Sequence, residues 1–385
     1  MPDRTYASNW QEAKARTLSG ETGIRWASWS DSHPPSLPDS INIGDKVAGM
    51  MLGLAIGDSL GNTSESLNSA NRRQRHGWIE DYLPNRQAGH KCVGLPSDDT
   101  QLAFWTLEQL IEDGRLEPNN LAIKFCQHRI YGIGNSVREF LRNFKSNQPW
   151  SQAGAPSAGN GALMRIAPLL IPHVNKPSSE LWGDVILGAH LTHRDGLSTA
   201  SCVGFIAILM EAIAMHQAPE GDWWLSRFVE LVASIEPQNP YETRGAPIDF
   251  KGKLTELIEQ HVVPAYNAQE DIDTACNRWY SGAYCLETVP SVLFILARYG
   301  HDPQQAILEA VNNTRDNDTI AAIVGAAVGA LHGVSAFRQS WIDNLIGRTK
   351  SDDDHQIFAS LQRAGEKFGF NTALLIRERA KHKFF

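Results

Sequence analysis

The sequence predicts an all-α protein, and three observations support this prediction. Apolar residues recur at helical spacing, for example at Ala103, Leu107 and Leu110, which is typical of helices with one buried face. The run from Ile320 to Gly333 is almost entirely small and apolar, so it is stable only as a helix surrounded by other helices. No run shows the alternation of apolar and polar residues between turns that marks a strand.

The glycines of this small-residue run indicate how it packs. Gly325 and Gly329 are four residues apart, so they lie on the same face of the predicted helix. A face without side chains allows the backbone of a neighbouring helix to approach closely. We therefore expect a rigid, buried central helix, with the acidic residues that precede it at its N-terminal end.

Composition limits the classes of function that need to be considered. The chain has 385 residues, 42% of them hydrophobic and 20% charged, which is typical of a globular protein with one large domain or two. The formal net charge of −8 argues against general nucleic-acid binding, which needs clustered Lys and Arg. The apolar run Ala200–Met215 is short and interrupted by Glu211, so it predicts a buried helix rather than a membrane span.

The cysteines and the N-terminus bear on the cellular compartment. The five cysteines are odd in number and form no CxxC pair, so zinc ribbons and disulfide frameworks are not expected. The N-terminus has no apolar signal core. Reduced thiols in the cytoplasm are the expectation that follows.

Residues 1–42 differ from the rest of the chain. They mix charged residues with Tyr6, Trp10, Trp26 and Trp29 and end in a proline-rich stretch at 32–38. Prolines break regular structure, so we predict an extended N-terminal arm and linker before a domain at 43–385. Disordered tails are usually poor in aromatics. Docking of the arm, on a partner or on its own domain, is therefore favoured over a disordered tail.

The helices can be predicted in order from apolar periodicity and from their boundary residues. A glycine-dotted helix from Lys46 to about Gly57 precedes a loop with Asp58 and Glu65, and 71–91 form a loop or flap. Further helices are predicted after Ser97–Thr100, at 118–131, from the glycine loop at 159–161 to about Pro172, from Glu180 to about His193, at 198–216, 253–261, 286–299, 303–312 and 320–332, and in three stretches after Ser335.

Two acidic motifs occur at predicted helix N-termini. They are Ser97-Asp98-Asp99 and Asp316-Asn317-Asp318-Thr319. Either motif alone could cap its helix, since short acceptors satisfy the free N–H groups there. Four converging carboxylates, however, would repel one another and become protonated unless a cation joined them. Oxygen ligands suit magnesium or manganese, and Asp58 and Glu65 could join the cluster.

Three further features could contact a ligand. Gly159-Asn160-Gly161 at a predicted helix start exposes backbone N–H groups that suit a phosphate, although the same tripeptide is also an ordinary turn. His193 lies at a predicted helix C-terminus, where the helix dipole alone can stabilise it. Tyr284 could belong to the core or stack on a base.

These motifs together resemble the ADP-ribosylglycohydrolase family. The resemblance is carried, over roughly residues 44–334, by Gly57-Asp58-x-Leu60-Gly61 with Glu65, Ser97–Thr100, Gly159–Arg165, Thr192-His193 and Asp316-x-Asp318-Thr319-Ile320-Ala321. It implies a compact, all-α, multi-helix bundle that holds two Mg²⁺ or Mn²⁺ ions. It also implies metal ligands at Ser97, Asp98, Asp99, Asp316, Asp318 and Thr319, a mobile acidic loop with Glu65, and ADP-ribose contacts from Gly159, Asn160, Gly161 and His193.

The resemblance further implies removal of ADP-ribose from a modified protein side chain, with arginine as the first expected acceptor. Metal-bound water would attack the anomeric carbon. The candidate catalytic residues are Asp99, Asp318 and Glu65, with Asp99 or Asp318 accepting the proton of the water. A dimetal phosphohydrolase of the His-Asp type would need more well-placed histidines than His193 alone.

The chain departs from the family pattern at Thr314-Arg315, where the family usually has two glycines. A bulky cation here could change metal affinity or hold a substrate phosphate. Some relatives act as immunity proteins against ADP-ribosyltransferase toxins and carry an N-terminal arm. Immunity is therefore an expected role, with a toxin as a possible partner bound through residues 1–42. The alternative is a toxin-binding inhibitor with secondary or no hydrolase activity.

Overall fold

The computed structural model describes residues 8–350 and 354–372. These residues form eighteen α-helices and two short antiparallel hairpins, β1 Pro84–Asn85 with β2 Lys91–Cys92 and β3 Tyr241–Glu242 with β4 Lys251–Gly252. The helices are α1 Asn9–Leu18, α2 Ile43–Gly61, α3 Ser69–His76, α4 Asp98–Asp113, α5 Pro118–Phe125, α6 Asn135–Lys145, α7 Trp150–Ala153, α8 Glu180–His190, α9 Gly196–Ala214, α10 Gly221–Ala233, α11 Leu254–Leu257, α12 Val263–Asn267, α13 Ile272–Arg278, α14 Cys285–Tyr299, α15 Pro303–Asn313, α16 Asn317–His332, α17 Gln339–Asp343 and α18 Gln356–Phe368. The prediction of an all-α fold is confirmed.

The centre of the fold is the helix pair α2 and α16, whose backbones touch along glycines. A Cβ placed at Gly53 would lie 2.1 Å from the carbonyl oxygen of Gly325, and a Cβ at Gly325 would lie equally close to that of Gly53. Gly49 and Gly329 meet in the same way one turn further along. Only residues without a side chain permit this approach. The predicted close packing at Gly325 and Gly329 is therefore confirmed.

Helix α2 continues past the predicted end near Gly57. A Cβ at Gly57 would lie 2.1 Å from the carbonyl oxygen of Ala321, and a Cβ at Gly61 would lie 2.4 Å from the Cα of Asp318. The contact with α16 thus holds the last turn of α2 in helical conformation. Asp58 consequently lies within the helix and is buried, rather than in the loop where the sequence prediction placed it.

One helix among the described residues, α9, is long and apolar enough to cross a membrane by length and composition. Within the fold, however, 89% of its apolar window is buried. The sequence prediction of a buried helix in this region is confirmed.

The segment after the glycine loop at 159–161 is not the predicted α-helix. It consists of two 3-10 segments, Leu163–Arg165 and Ala167–His173. Pro168 and Pro172 have no N–H to donate to an α-helical hydrogen bond, which explains the interruption. No α-helix N-terminus therefore follows the loop.

The interpretation of residues 1–42 as an extended arm needs correction for the part that the structure describes. Helix α1 packs against α8 so closely that a Cβ at Gly183 would lie 2.3 Å from the backbone nitrogen of Trp10. The buried amide of Asn9 donates to the carbonyl oxygen of Leu116 (2.8 Å) and to Asp184 Oδ1 (2.6 Å). Buried polar contacts of this kind fix the segment on its own domain.

The tryptophan side chains of this segment make hydrogen bonds and ring contacts within the same polypeptide. The indole of Trp10 donates to the carbonyl oxygen of Ser30 (2.9 Å). That of Trp29 donates to Ser234 Oγ (2.8 Å), and its ring packs edge-on against Trp182. Tyr6 lies outside the described residues.

Candidate active site

The acidic residues predicted from the two motifs converge where three helices meet. Asp58 comes from the last turn of α2, Asp99 from the first turn of α4 and Asp318 from the first turn of α16. One carboxylate oxygen from each lies within 4.8 Å of the other two. Oxygens of Glu65, Asp316 and Asp318 form a second group with the same spacing. The two groups share Asp318, and each could hold one metal ion.

Asp58 also joins α2 to the start of α4. Its carboxylate accepts hydrogen bonds from the backbone N–H (2.9 Å) and hydroxyl (2.6 Å) of Ser97. It also accepts from the Thr100 hydroxyl (2.5 Å) and the Asn62 amide (2.9 Å). The sequence suggested Asp58 only as an addition to the cluster. Its central place follows from the longer α2 and from the contact with α16.

Capping of the helices does not explain the two motifs. Ser97 and Asp316 occupy the N-cap positions of α4 and α16, but neither side chain makes a capping hydrogen bond. The Ser97 hydroxyl instead donates to Asp58. Oδ1 of Asp99 is buried and has no hydrogen-bond partner among the described residues, which is unusual for a buried polar atom.

The electrostatics of the cluster favour a bound cation. Burial and neighbouring carboxylates raise the pKa of Asp98 to about 8 and that of Glu65 to about 7. Burial raises the pKa of Asp316 to about 6, and burial and nearby acids raise the pKa values of Asp99 and Asp318 well above their usual range. Because a divalent cation would offset both burial and repulsion, the residues present fit an oxygen-coordinated Mg²⁺ or Mn²⁺.

A cavity of about 450 Å³ opens beside the acidic cluster. The candidate residues that line it are Glu65, Asp98, Asp99, Gly159, Asn160, Gly161, His193, Asp316, Asp318 and Thr319. Ser97 lines a second cavity of about 310 Å³, which shares Glu65 and Gly132 with the first. Glu65 thus lies between two cavities.

The glycine loop has a different geometry from a helix-start phosphate site. The Asn160 amide donates to Asp316 Oδ2 (2.6 Å), so it orients a candidate metal ligand. The backbone N–H of Asn160 donates to Ala283, and that of Gly159 donates to the Ser157 hydroxyl. These two N–H groups are therefore engaged within the chain.

His193 is buried beneath this loop and borders the cavity. A Cβ at Gly161 would lie 2.8 Å from Cε1 of the imidazole, so glycine is required there for the ring to fit. Burial, and secondarily the nearby Arg165 cation, lower the pKa of His193 to about 3. The imidazole is therefore neutral at physiological pH.

Two of the residues that line the cavity, Arg244 and Glu287, were not singled out in the sequence. Glu287, in the first turn of α14, is buried, and its burial raises its pKa to about 7. Arg244, from the β3–β4 connection, stacks on the Tyr284 ring at 4.4 Å. Tyr284 thus faces the cavity with an arginine on its ring. The only sequence signal for Glu287 was its position at a helix start, which many acidic residues share.

Arg315, the residue directly before the second acidic motif, stacks on the ring of Tyr280 at 4.4 Å. The backbone N–H groups of Arg315 and Asp316 donate to the carbonyl oxygen of Ser281. Tyr280 and Ser281 both have positive φ values, 81° and 46°, which is a strained conformation for these residue types. The strained pair thus anchors the backbone just before the second acidic motif.

The sequence is similar to those of known hydrolases of ADP-ribosylated proteins. The profile of the family described as ADP-ribosylglycohydrolase matches residues 39–367. The ADP-ribosyl-[dinitrogen reductase] glycohydrolase of Rhodospirillum rubrum is 24% identical over 84% of this chain and 98% of its own length. The ADP-ribosylarginine hydrolase Tri1 of Pseudomonas putida is 26% identical over 78% of this chain and 74% of its own length.

A solved structure shares this fold. A solved structure described as an ADP-ribosylglycohydrolase-related protein complex superposes with a TM-score of 0.63 at 24% identity, over 85% of this chain and 99% of the other. Since the family profile spans most of the chain, including both acidic motifs and the glycine loop, the protein belongs to the ADP-ribosylglycohydrolase family of hydrolases.

Proposed function

We propose that this enzyme is a divalent-metal-dependent hydrolase that removes ADP-ribose from modified arginine side chains of proteins. The observation that carries the proposal is the pair of carboxylate groups that share Asp318 at the edge of the 450 Å³ cavity. The volume is in the range of small-ligand sites. Arginine is supported by the 26% identity with a relative named ADP-ribosylarginine hydrolase.

Asp58, Asp99 and Asp318 would hold one cation, and Glu65, Asp316 and Asp318 the other. When bound, these ions would supply Lewis acidity and positive charge next to the glycosidic carbon. The Asn160 amide would keep Asp316 in place for this role.

We assign proton transfer to the acidic residues around the reacting bond. Within the part of the chain that the structure describes, Asp99 Oδ1 accepts no hydrogen bond, so we assign it the proton of the attacking water. Asp318 is the second candidate, since it belongs to both carboxylate groups. Glu65 borders both cavities, so we place it at the cleaved bond, with ADP-ribose in the larger cavity.

We propose immunity against an ADP-ribosyltransferase toxin as the biological setting, with hydrolysis as its basis. The alternative of a toxin-binding inhibitor depends on free aromatic anchors in residues 1–42. The indole of Trp29 donates to Ser234 of the domain, the indole of Trp10 donates to Ser30 within the segment, and the backbone of Trp10 packs on Gly183 of α8. Neither indole is left as a free anchor, so the inhibitor role has no specific support. Toxin association through residues 1–42 stays a prediction that deletion of the segment tests.

The test is release of ADP-ribose from an arginine-ADP-ribosylated protein, with Mg²⁺ and with a chelator. We expect release only with the metal, and a loss of about 100-fold in Asp318→Asn, because that change removes the negative charge that both groups share. The exposed Asp343→Asn is the matched control. Hydrolysis that survives both the chelator and Asp318→Asn would refute metal dependence. Cleavage of ADP-ribosylserine but not of ADP-ribosylarginine would refute the proposed acceptor.

A further inference from the structure

Two motifs of the sequence, the glycine loop ending in Arg165 and the pair Thr192-His193, are joined by a buried chain of hydrogen bonds. Nη2 of Arg165 lies 2.8 Å from Thr192 Oγ1, and the same oxygen lies 2.9 Å from Nδ1 of His193. Arg165 and Thr192 are fully buried and His193 is 2% exposed. The acidic cluster uses none of the three, so their arrangement needs its own explanation.

The chemistry of the three groups determines which group donates and which accepts in each of these hydrogen bonds. A guanidinium only donates hydrogen bonds, so the Thr192 oxygen accepts from Arg165. The Thr192 hydroxyl has one proton to donate, and the contact within its reach among the described hydrogen bonds is Nδ1 of His193. If Nδ1 carried a proton instead, the buried oxygen would accept twice and its own proton would have no acceptor, which is costly. Nδ1 is therefore the acceptor.

The other ring nitrogen lies at the glycine loop. A Cβ at Gly161 would lie 3.1 Å from Nε2 of His193, and one at Gly159 would lie 3.5 Å from it. Both glycines and His193 border the 450 Å³ cavity. We propose that Arg165 and Thr192 are positioning residues that lock His193 in the Nε2–H tautomer, so that it presents a single neutral donor to an acceptor oxygen of the ADP-ribose moiety. The identity of this ligand rests on the proposed function, whereas the tautomer does not.

The environment of the ring supports a neutral donor. Burial and the positive charge of Arg165 disfavour a second proton on the imidazole and lower its pKa to about 3. Arg165 itself is held by the carbonyl oxygen of Gly188 (2.8 Å) and lies over the ring of Phe125. The position and the protonation of Nε2 are thus set before a ligand binds. Such preorganisation reduces the entropy that is lost on binding.

Nitrogen-15 NMR of the full-length wild-type protein with labelled histidine tests the tautomer without any ligand or activity. The His193 signals are assigned by their disappearance in His193→Gln. We expect Nδ1 to have the chemical shift of an unprotonated ring nitrogen and Nε2 that of a protonated one, with no change between pH 6 and pH 8. Protonation at Nδ1, or at both nitrogens, would overturn the proposal.

Two variants test the positioning role, with ADP-ribose and Mg²⁺ as the probe. Thr192→Val removes the hydroxyl proton, so we expect a mixed tautomer and roughly tenfold weaker ADP-ribose binding, the size expected for one lost hydrogen bond. Thr192→Ser keeps the hydroxyl and should restore both the tautomer and the affinity.

ADP-ribose should also shift the Nε2 signal of the wild-type protein. An unmoved signal at saturating ADP-ribose, or equal binding by the Val and Ser variants, would overturn the ligand contact. If Thr192→Val does not fold, the wild-type spectra decide alone. If the wild-type protein shows the expected tautomer but does not cleave ADP-ribosylarginine, that result would count against the proposed function and not against this inference.

Discussion

The contact between α2 and α16 predicts that alanine at Gly57 destabilises the enzyme. The added Cβ would lie 2.1 Å from the carbonyl oxygen and 2.3 Å from the carbonyl carbon of Ala321, whereas real Cβ contacts are essentially never under 3.0 Å. Both atoms are backbone, so the two helices must separate by roughly 1 Å. Overpacking of this kind costs about 1–3 kcal/mol. In an open helix the same change would instead stabilise by up to about 1 kcal/mol, so the sign of the effect is diagnostic.

Gly57→Ala should also weaken metal binding, because Asp58 is the next residue and Asp318 is one turn before Ala321. Gly49→Ala is the matched control, since its Cβ would lie 2.5 Å from the carbonyl oxygen of Gly329. Gly49 lies eight residues, or about 12 Å along the α2 axis, from Gly57, and is therefore further from the acidic cluster.

Urea unfolding and calorimetric Mn²⁺ titration of both variants provide the measurements. We expect both to lose about 1–2 kcal/mol of unfolding free energy. Only Gly57→Ala should bind Mn²⁺ more weakly. Increased stability of either variant would refute the close helix contact. Equal metal affinities of the two would refute the link between helix spacing and the site.

Three further predictions follow from the site and from the N-terminal segment. The metal-free protein should lose stability as pH rises from about 7 to about 8, where the buried His193 is neutral in both the folded and the unfolded state. The folded-state pKa values of Glu65 and Asp98 are raised to about 7 and about 8, so the folded state binds more protons in this range. Saturating Mg²⁺ should remove the trend, and a flat metal-free profile in thermal unfolding between these pH values would contradict it. Asn9→Ala should cost about 1–3 kcal/mol in urea unfolding, because it leaves buried partners without a donor, whereas the exposed Gln11→Ala should cost under about 0.5 kcal/mol. Deletion of residues 1–42 should lower both melting temperature and hydrolysis, and a truncated enzyme with normal values that no longer associates with a toxin would restore the partner-binding arm.

The sequence predicted those parts of the fold and site that depend on local chemistry. Short acidic motifs before apolar helical runs locate Asp98, Asp99, Asp316 and Asp318 without knowledge of the fold, because helix starts are locally encoded. The small-residue helix was predictable for the same reason, since its composition excludes any polar face.

Other features depend on contacts between distant segments and were not predictable. The end of α2, and with it the place of Asp58, is set by packing on α16. Glu287 and Arg244 reach the cavity from segments that carry no distinctive motif. Residues 8–42 have a polar and aromatic composition that suits a partner-binding arm and a packed segment equally well. Only contacts such as that of Asn9 with Asp184 distinguish the two.

The pairing of α2 with α16 has a consequence for folding during synthesis on the ribosome. About two-thirds of the chain separates Asp58 from Asp318, and at about 5–20 residues per second this stretch takes on the order of tens of seconds to synthesise. During that interval α2 can contact α4 and α9, but its glycine face lacks the helix that it packs on. Neither carboxylate group can be complete before α16 emerges, so the metal cannot template early folding. The nascent chain should therefore depend on chaperones that shield α2, and metal loading should follow the release of the finished chain.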